Sequence, residues 1–299
     1  MGQAIGPQGP ISFGPMSSSS SSTGPSRSLL PPIFPVEPDQ PLRWLVLGFR
    51  DLCRNPLLSM AHGLALSVIG LVFTWLAFDQ FWLLAGLVSA FMVLAPVLAT
   101  SLYAMSRAIE RGEEVNLHLL VSTWTRWKLR LQSQPDSYWA LIRFGILLGL
   151  AAMGWVFTSS ALIQLMAPVP IHTPMDFLRH VVASQEHRLF ELWLALGGLM
   201  AAPLFASSVV SMPLLLDRKV SVLQAVLTSW KAVLSHPVTL AFWAFLLMGL
   251  SLLGLFSLFL GLILVVPLLG HASWHAYREL VDVSALPSRL DDAQDKGQA

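Results

Sequence analysis

The hydrophobic positions of this 299-residue chain fall in long blocks, with polar residues gathered between them. The longest block runs from Ala232 to Tyr277 and contains no Asp, Glu, Lys or Arg. Crossing about 30 Å of hydrocarbon takes about 20 apolar residues. A single helix over the whole block, rising about 1.5 Å per residue, would overshoot a bilayer about twofold. The block is therefore expected to fold back as two spans. The same blocks upstream predict six spans in all, over residues 57–78, 81–105, 140–166, 190–216, 237–256 and 258–280. Only Asp79 and Gln80 separate the first pair, which reads as a tight hairpin, and the last pair is expected to turn near Gly254 to Ser257. The fold class that follows is all-α, a polytopic transmembrane helical bundle.

The polar stretches carry a repeat. F-R-D-L-C-R-N-P (Phe49 to Pro56) precedes the first span and W-K-A-V-L-S-H-P (Trp230 to Pro237) precedes the fifth. W-K-L-R-L-Q-S-Q-P (Trp127 to Pro135), one residue longer, precedes the third. The even spans rhyme as well, with A-P-V-L-A around Pro96, A-P-L-F-A around Pro203 and V-P-L-L-G around Pro267. Three hairpin modules follow. Each is an interfacial amphipathic helix, a proline step, a span and a proline-bearing return span, and all three share one orientation. A proline inside a span frees a backbone carbonyl that neighbours must satisfy, so Pro96, Pro203 and Pro267 are candidates to line a shared central seam. In the interfacial helices, Leu117, Leu120, Trp124, Trp127 and Leu131 share a face, as do Leu223, Val226, Leu227, Trp230 and Val233. Arg43, Arg50 and Arg54 are expected opposite Leu45, Phe49 and Leu52. Trp44, Trp124, Trp127, Trp230 and Trp274 would set the depth in the bilayer.

The ends differ in kind. Residues 1–41 are rich in Gly, Pro and Ser, including a serine run from Ser17 to Ser22, and read as a disordered tail. They lack the basic and apolar regions of a signal peptide. Residues 42–282 form the six-span domain and 283–299 a polar C-terminal tail.

Composition adds orientation and excludes some functions. The chain is 55% hydrophobic and 12% charged, with a net charge of +1. That leaves no clustered positive charge for a nucleic acid. The single cysteine, Cys53, excludes an internal disulfide and a CxxC motif. Sixteen of the eighteen Lys and Arg residues fall on one side of the proposed spans, with only Arg179 and Arg188 on the other. Positive residues stay cytoplasmic, so both termini are expected in the cytoplasm and the membrane is expected to be the inner, cytoplasmic one.

Candidate chemistry is sparse. In G-H-A-S-W-H-A-Y-R (Gly270 to Arg278), His271 and His275 lie four residues apart on one helix face, a spacing that can serve a metal or haem. No acidic residue or cysteine in the spans offers a further ligand, so no metal or cofactor is expected, and these histidines with Tyr277 are read first as boundary anchors. His172, His180 and His187, with Asp176 and Glu186, lie in the loop 167–188, read as an interfacial segment. No Asp or Glu lies well inside a span, whereas ion-coupled carriers place carboxylates near the midplane. GxSxG, HExxH and Walker motifs are missing. Ser101, Ser159, Ser207 and Ser208 read as helix-packing residues. A charged collar of Arg107, Glu110, Arg111, Asp217 and Arg218 is expected at the cytoplasmic face, around the Asp217–Arg218 turn. The candidate ligand-binding residues are His271, Trp274, His275, Tyr277 and Arg278 with the three span prolines.

Three stretches, L-Y-A-M-S-R-A-I-E-R-G-E (Leu102 to Glu113), L-L-D-R-K-V-S (Leu215 to Ser221) and P-L-L-G-H-A-S-W-H-A-Y-R-E-L-V (Pro267 to Val281), resemble the DUF2189 family of bacterial integral membrane proteins. The resemblance spans roughly residues 42–282. It implies a six-span inner-membrane protein of uncharacterised function. Some members carry the label of cytochrome c oxidase subunit I, which would demand more haem and copper ligands than His62, His236, His271 and His275, the histidines in or beside the spans. The function read from the chain is therefore non-enzymatic: binding or moving a small or lipidic molecule, or assisting a membrane complex. Its expected partners are the lipid bilayer and a second copy or other membrane proteins. A haem- or metal-binding redox protein using His271 and His275 is the alternative, and a membrane-embedded lipid enzyme the third reading.

Overall fold

The structure is a computed structural model that describes Gly2 and residues 30–76, 81–125, 135–183 and 188–288. Among these residues the chain is helical, with two isolated β-bridges and no strand. The helices are α1 (Gln40–Arg54), α2 (Pro56–Leu76), α3 (Phe81–Leu98), α4 (Thr100–Glu110), α5 (Leu117–Thr125), α6 (Pro135–Met166), the short α7 (Pro174–Phe177), which continues as a π-helix over Leu178–Val182, α8 (Leu189–Ser208), α9 (Ser211–Asp217), α10 (Val222–Ser235), α11 (Pro237–Phe256) and α12 (Leu262–Leu280). Five stretches are long and apolar enough to cross a membrane: Pro56–Leu76, Phe91–Glu110, Trp139–Met166, Leu189–Asp217 and Pro237–Phe256. The region expected as the sixth span, α12, is not among them. Its C-terminal half carries His271, Ser273, His275, Arg278 and Glu279.

The proline steps have a defined geometry. α1 ends at Asn55 with φ −135° and ψ 62°, and Pro56 starts α2. α10 ends at His236 with φ −134° and ψ 60°, and Pro237 starts α11. In both, one residue outside the helical region turns the chain out of one helix, and the proline, with no N–H to satisfy, opens the next. Pro135 opens α6, but Trp127 and Leu131 of the step before it lie outside the described residues, as does the side chain of Trp124.

Four expectations change. The second and fourth spans each run on as one membrane-length stretch but carry an irregular turn, at Ala99 between α3 and α4 and at Val209–Val210 between α8 and α9. The last hairpin turns over 257–261, a few residues beyond Gly254 to Ser257, with Leu258 and Phe259 both at positive φ. The N-terminal segment packs from residue 31 onward: Lys231 donates to the Pro31 carbonyl, Phe34 N–H to Leu280, and Thr239 to Glu37. At the C-terminus, Lys219 N–H donates to Pro287, and Arg218 reaches the Leu286 carbonyl. Composition hid both segments because prolines that preclude helix still allow extended chain to pair backbone groups. The rest of the two tails lies outside the described residues.

The amphipathic helices also turn differently. α1 has three faces. Trp44, Gly48, Asp51 and Leu52 are buried, Leu42, Val46 and Phe49 are exposed, and Arg43, Arg50 and Arg54 are exposed elsewhere. Leu52 thus parts from Phe49. In α10 the buried residues are Ala225, Thr228, Ser229 and Ala232, while Leu223, Leu227 and Leu234 point outward. Small residues let helices approach and large apolar ones meet lipid, the inverse of a soluble helix. Trp44 and Trp274, expected at the interface, are core residues with relative exposures of 0% and 1%. Trp44 stacks edge-on against Trp243 at 5.4 Å.

α12 is the hub. α1, α2, α4, α9 and α11 all pack against it. A Cβ at Gly48 would stand 2.6 Å from the Ala272 nitrogen, and one at Gly63 2.3 Å from the Ile263 carbonyl oxygen, so α1 and α2 lie directly on the α12 backbone. α3, α6 and α8 form a second group, α3 and α8 each packing on α6.

Candidate functional site

The site grows from the buried face of α1. Asp51 follows Trp44 and Gly48 at helical spacing and so points at α12, where it is 1% exposed. Facing it are His271 and His275, one turn apart, and Ser106 from α4. His275 Nε2 lies 2.8 Å from Asp51 Oδ2. The Ser106 hydroxyl lies 2.9 Å from the same oxygen and 2.8 Å from His271 Nδ1. His271 Nε2 lies 3.0 Å from the Ser59 hydroxyl of α2. Four helices thus share one chain of hydrogen bonds, and Ser59, Ser106 and His271 are all at 0% exposure.

The hydrogens can be assigned. Ser106 has one, and an ionised carboxylate only accepts. Ser106 therefore donates to Asp51, His271 Nδ1–H donates to Ser106, and Ser59 donates to His271 Nε2. His275 Nε2–H donates to Asp51. Burial acts to raise the Asp51 carboxyl. The hydrogen bond and charge of His275, then Ser106 and His271, outweigh it and leave the carboxyl below its ordinary value. Asp51 Oδ1 has no hydrogen-bond partner. Its nearest cation is the half-exposed Arg54, at 3.9 Å.

The expected collar forms two clusters on the same side of the bundle. Asp217, 2% exposed, accepts from Tyr277 at 2.8 Å and from Arg218 at 2.9 Å, with Arg111 at 3.5 Å. Glu110 accepts from Trp274 Nε1 at 3.0 Å and from Arg278 at 2.9 Å. Arg107 donates to the Leu216 carbonyl at 3.1 Å. Among the described residues two carboxylates, Asp51 and Asp217, are thus buried, which the spans alone did not reveal.

A cleft of about 730 Å³ lies between the α3–α6–α8 group and the group around α12. Phe91, Ala202, Phe205, Ala244, Phe245 and Val266 are among its walls, and none of its lining residues is charged. Pro96 lines it, but Pro203 and Pro267 do not, so the three prolines do not share this cleft. Gly270 and Ser273 of α12 reach it, whereas His271, Trp274, His275, Tyr277 and Arg278 do not.

His271 and His275 therefore meet through the Asp51 carboxylate and the Ser106 hydroxyl, not through an open coordination space. Both nitrogens of His271 are engaged, and no group of three or more His, Cys, Asp or Glu suited to a metal occurs among the described residues. In the loop 167–188, Asp176 closes a capping box with Thr173, and His187 lies outside the described residues. Trp193 donates to Ser159 and Trp230 to Ser207, so these serines do pack helices.

Residues 83–217 match the family model DUF2189, described as a predicted integral membrane protein. The match contains Leu102 to Glu113 and stops at Asp217, leaving the stretch from Pro267 to Val281 outside it. No curated protein and no solved structure matches the chain.

Proposed function

We propose that this integral membrane protein spans the cytoplasmic membrane six times, with both termini in the cytoplasm, and holds a lipidic molecule in the cleft between its two helix groups without acting as an enzyme. The observation that carries the reading is the cleft itself. Its volume of about 730 Å³ lies in the range of about 300–1,000 Å³ typical of small-molecule sites. Gly198, Ala201 and Ala202 of α8 and Ala241 and Met248 of α11 line it and are exposed, so it opens sideways, toward lipid. An uncharged lining suits a hydrocarbon chain and opposes an ion.

Counting α12 as the sixth span rests on its burial. Its polar half is shielded by α1, α2 and α4, which supply the partners that lipid cannot. The enzyme reading meets an obstacle in access, since Ser59 and His271 are at 0% exposure and outside the cleft lining.

Native mass spectrometry of the protein purified in mild detergent tests the function. A retained lipid, lost on Ala202→Trp together with Ala244→Trp, is the expected result. Equal retention by the variant would refute it. Orientation has its own test in Cys53, which is exposed and the chain's single cysteine. A membrane-impermeant maleimide should label it in inside-out vesicles and not in intact cells with a permeabilised outer layer.

A further inference from the structure

The polar cluster on α12 is more elaborate than packing requires. The third module shows this directly. Its step has the same backbone geometry as the first, and the residue corresponding to Asp51 is Ala232, also fully buried. The fold builds this step without a carboxylate. Burying a carboxylate is costly, and apolar replacements of buried charges are often neutral or stabilising.

Three further observations concern what Asp51 does. Every hydrogen in the chain points toward it, from Ser59 through His271 and Ser106 on one arm and from His275 on the other. Its second oxygen has no hydrogen-bond partner. The His275 side chain, 16% exposed, is the one member of the chain with a share of the surface, because Asp51 is 2% exposed and the rest are closed.

We propose that Asp51 and His275 form a proton-binding site, loaded at His275 and wired through Ser106 to His271 and Ser59 in the core of the bundle. A hydronium ion at the exposed side gives a proton to His275 Nδ1 and is left as water. The imidazole becomes an imidazolium, Nε2–H still donates to Asp51 Oδ2, and the pair goes from one net negative charge to none. No electron moves and no other bond breaks. The carboxyl, held below its ordinary value, stays ionised and leaves the proton on the ring. A proton presented to Ser59 would instead travel the other arm. Ser59 passes its hydrogen to His271 Nε2, His271 Nδ1–H passes to Ser106, and Ser106 passes its hydrogen to Asp51.

Among the described residues, the charged and titratable groups around the pair are Arg54 from α1 and His271 from α12, with His62 of α2 acting on His271 and Glu279, one turn beyond His275, held by Arg43 and Trp44 of α1. α4 contributes Ser106, and its Arg107 donates to the Leu216 carbonyl. α11 packs against α1 and contributes no titratable side chain.

The test is a pH titration of ¹⁵N-histidine-labelled full-length protein in lipid nanodiscs, following the ring-nitrogen shifts. We expect one imidazole to protonate reversibly, to vanish in His275→Gln, and to bind its proton more weakly once Asp51→Asn removes the carboxylate that its Nε2 faces at 2.8 Å. Ser106→Ala, which keeps the pair but cuts the wire, should leave that imidazole titrating and shift the His271 resonances. The proposal is overturned if no titrating imidazole disappears in His275→Gln, or if a folded Asp51→Asn protein titrates as the parent does. Should Asp51→Asn fail to fold, the His275→Gln and Ser106→Ala spectra decide the matter alone.

Discussion

The first and third modules make the same bend and put it to different use. α1–α2 and α10–α11 join through residues with nearly identical backbone angles, Asn55 and His236, each followed by proline. Their buried positions also correspond: Trp44 with Ala225, Gly48 with Ser229, Asp51 with Ala232 and Ser59 with Leu240. In the third module those positions are small or apolar, apart from Ser229, which accepts from the Val210 N–H at 3.3 Å. In the first they hold a carboxylate and a serine aimed at two histidines. The repeat supplies a rigid scaffold, and a few substitutions within one copy supply the chemistry.

The largest effect should come from forcing the first copy's chemistry onto the third. Ala232→Asp places an ionised group at a position with 0% exposure and no matching histidine pair. A loss of about 3–5 kcal/mol is expected, seen as failure to accumulate or a collapse of the thermal unfolding temperature. Normal stability would mean the two sites are not equivalent. Next comes Gly48→Ala, whose Cβ would press within 2.6 Å of the α12 backbone. It should cost about 1–3 kcal/mol by overpacking, while Ser229→Ala in α10 loses only one hydrogen bond, about 1 kcal/mol. Chemical denaturation of the pair of variants checks that order.

Acid should separate the modules more gently. A carboxyl whose folded value is depressed contributes stability above its unfolded pKa of about 3.9, and that contribution fades as pH falls through the lower folded value. Hydrogen exchange at low pH should therefore show α1 loosening from α12 before α10 loosens, and equal protection would remove the asymmetry. The smallest effect expected is at the bends. His236→Ala forfeits the bond from Nε2 to the Phe34 carbonyl and should cost about 0.5–1.5 kcal/mol, with Asn55→Ala below it in thermal unfolding.

Much of this scaffold could be read from the chain. Charge-free blocks located the five helices long and apolar enough to cross a membrane, and the aromatic–base–proline rhyme located the bends at Asn55 and His236, because proline at the start of a helix is a local rule. The histidine pair stood out by its spacing. Its partners did not. Asp51 sat in a helix with three arginines and two separate apolar stripes, so a search for one hydrophobic face merged Leu52 with Phe49. The available signal was an acid in register with Trp44 and Gly48. Ser59 and Ser106 gave none, since a serine in such helices ordinarily turns back on its own backbone, as Ser211 and Ser273 do here. The irregular turns at Ala99 and Val209–Val210 were equally silent, because hydropathy continues through them. The cleft depends on which helices fail to meet, and no local pattern records that.

The most direct test is a double-mutant cycle on Asp51→Ala and His275→Ala, read by reversible unfolding in detergent. If the carboxylate and imidazole are chemistry inserted into a step that folds without them, Asp51→Ala should be the costly single change. Adding His275→Ala should then recover much of that loss, with a coupling energy of about 1–3 kcal/mol. Losses that simply add would contradict the account, because they would make Asp51 a packing residue of α1 and the likeness to Ala232 an accident.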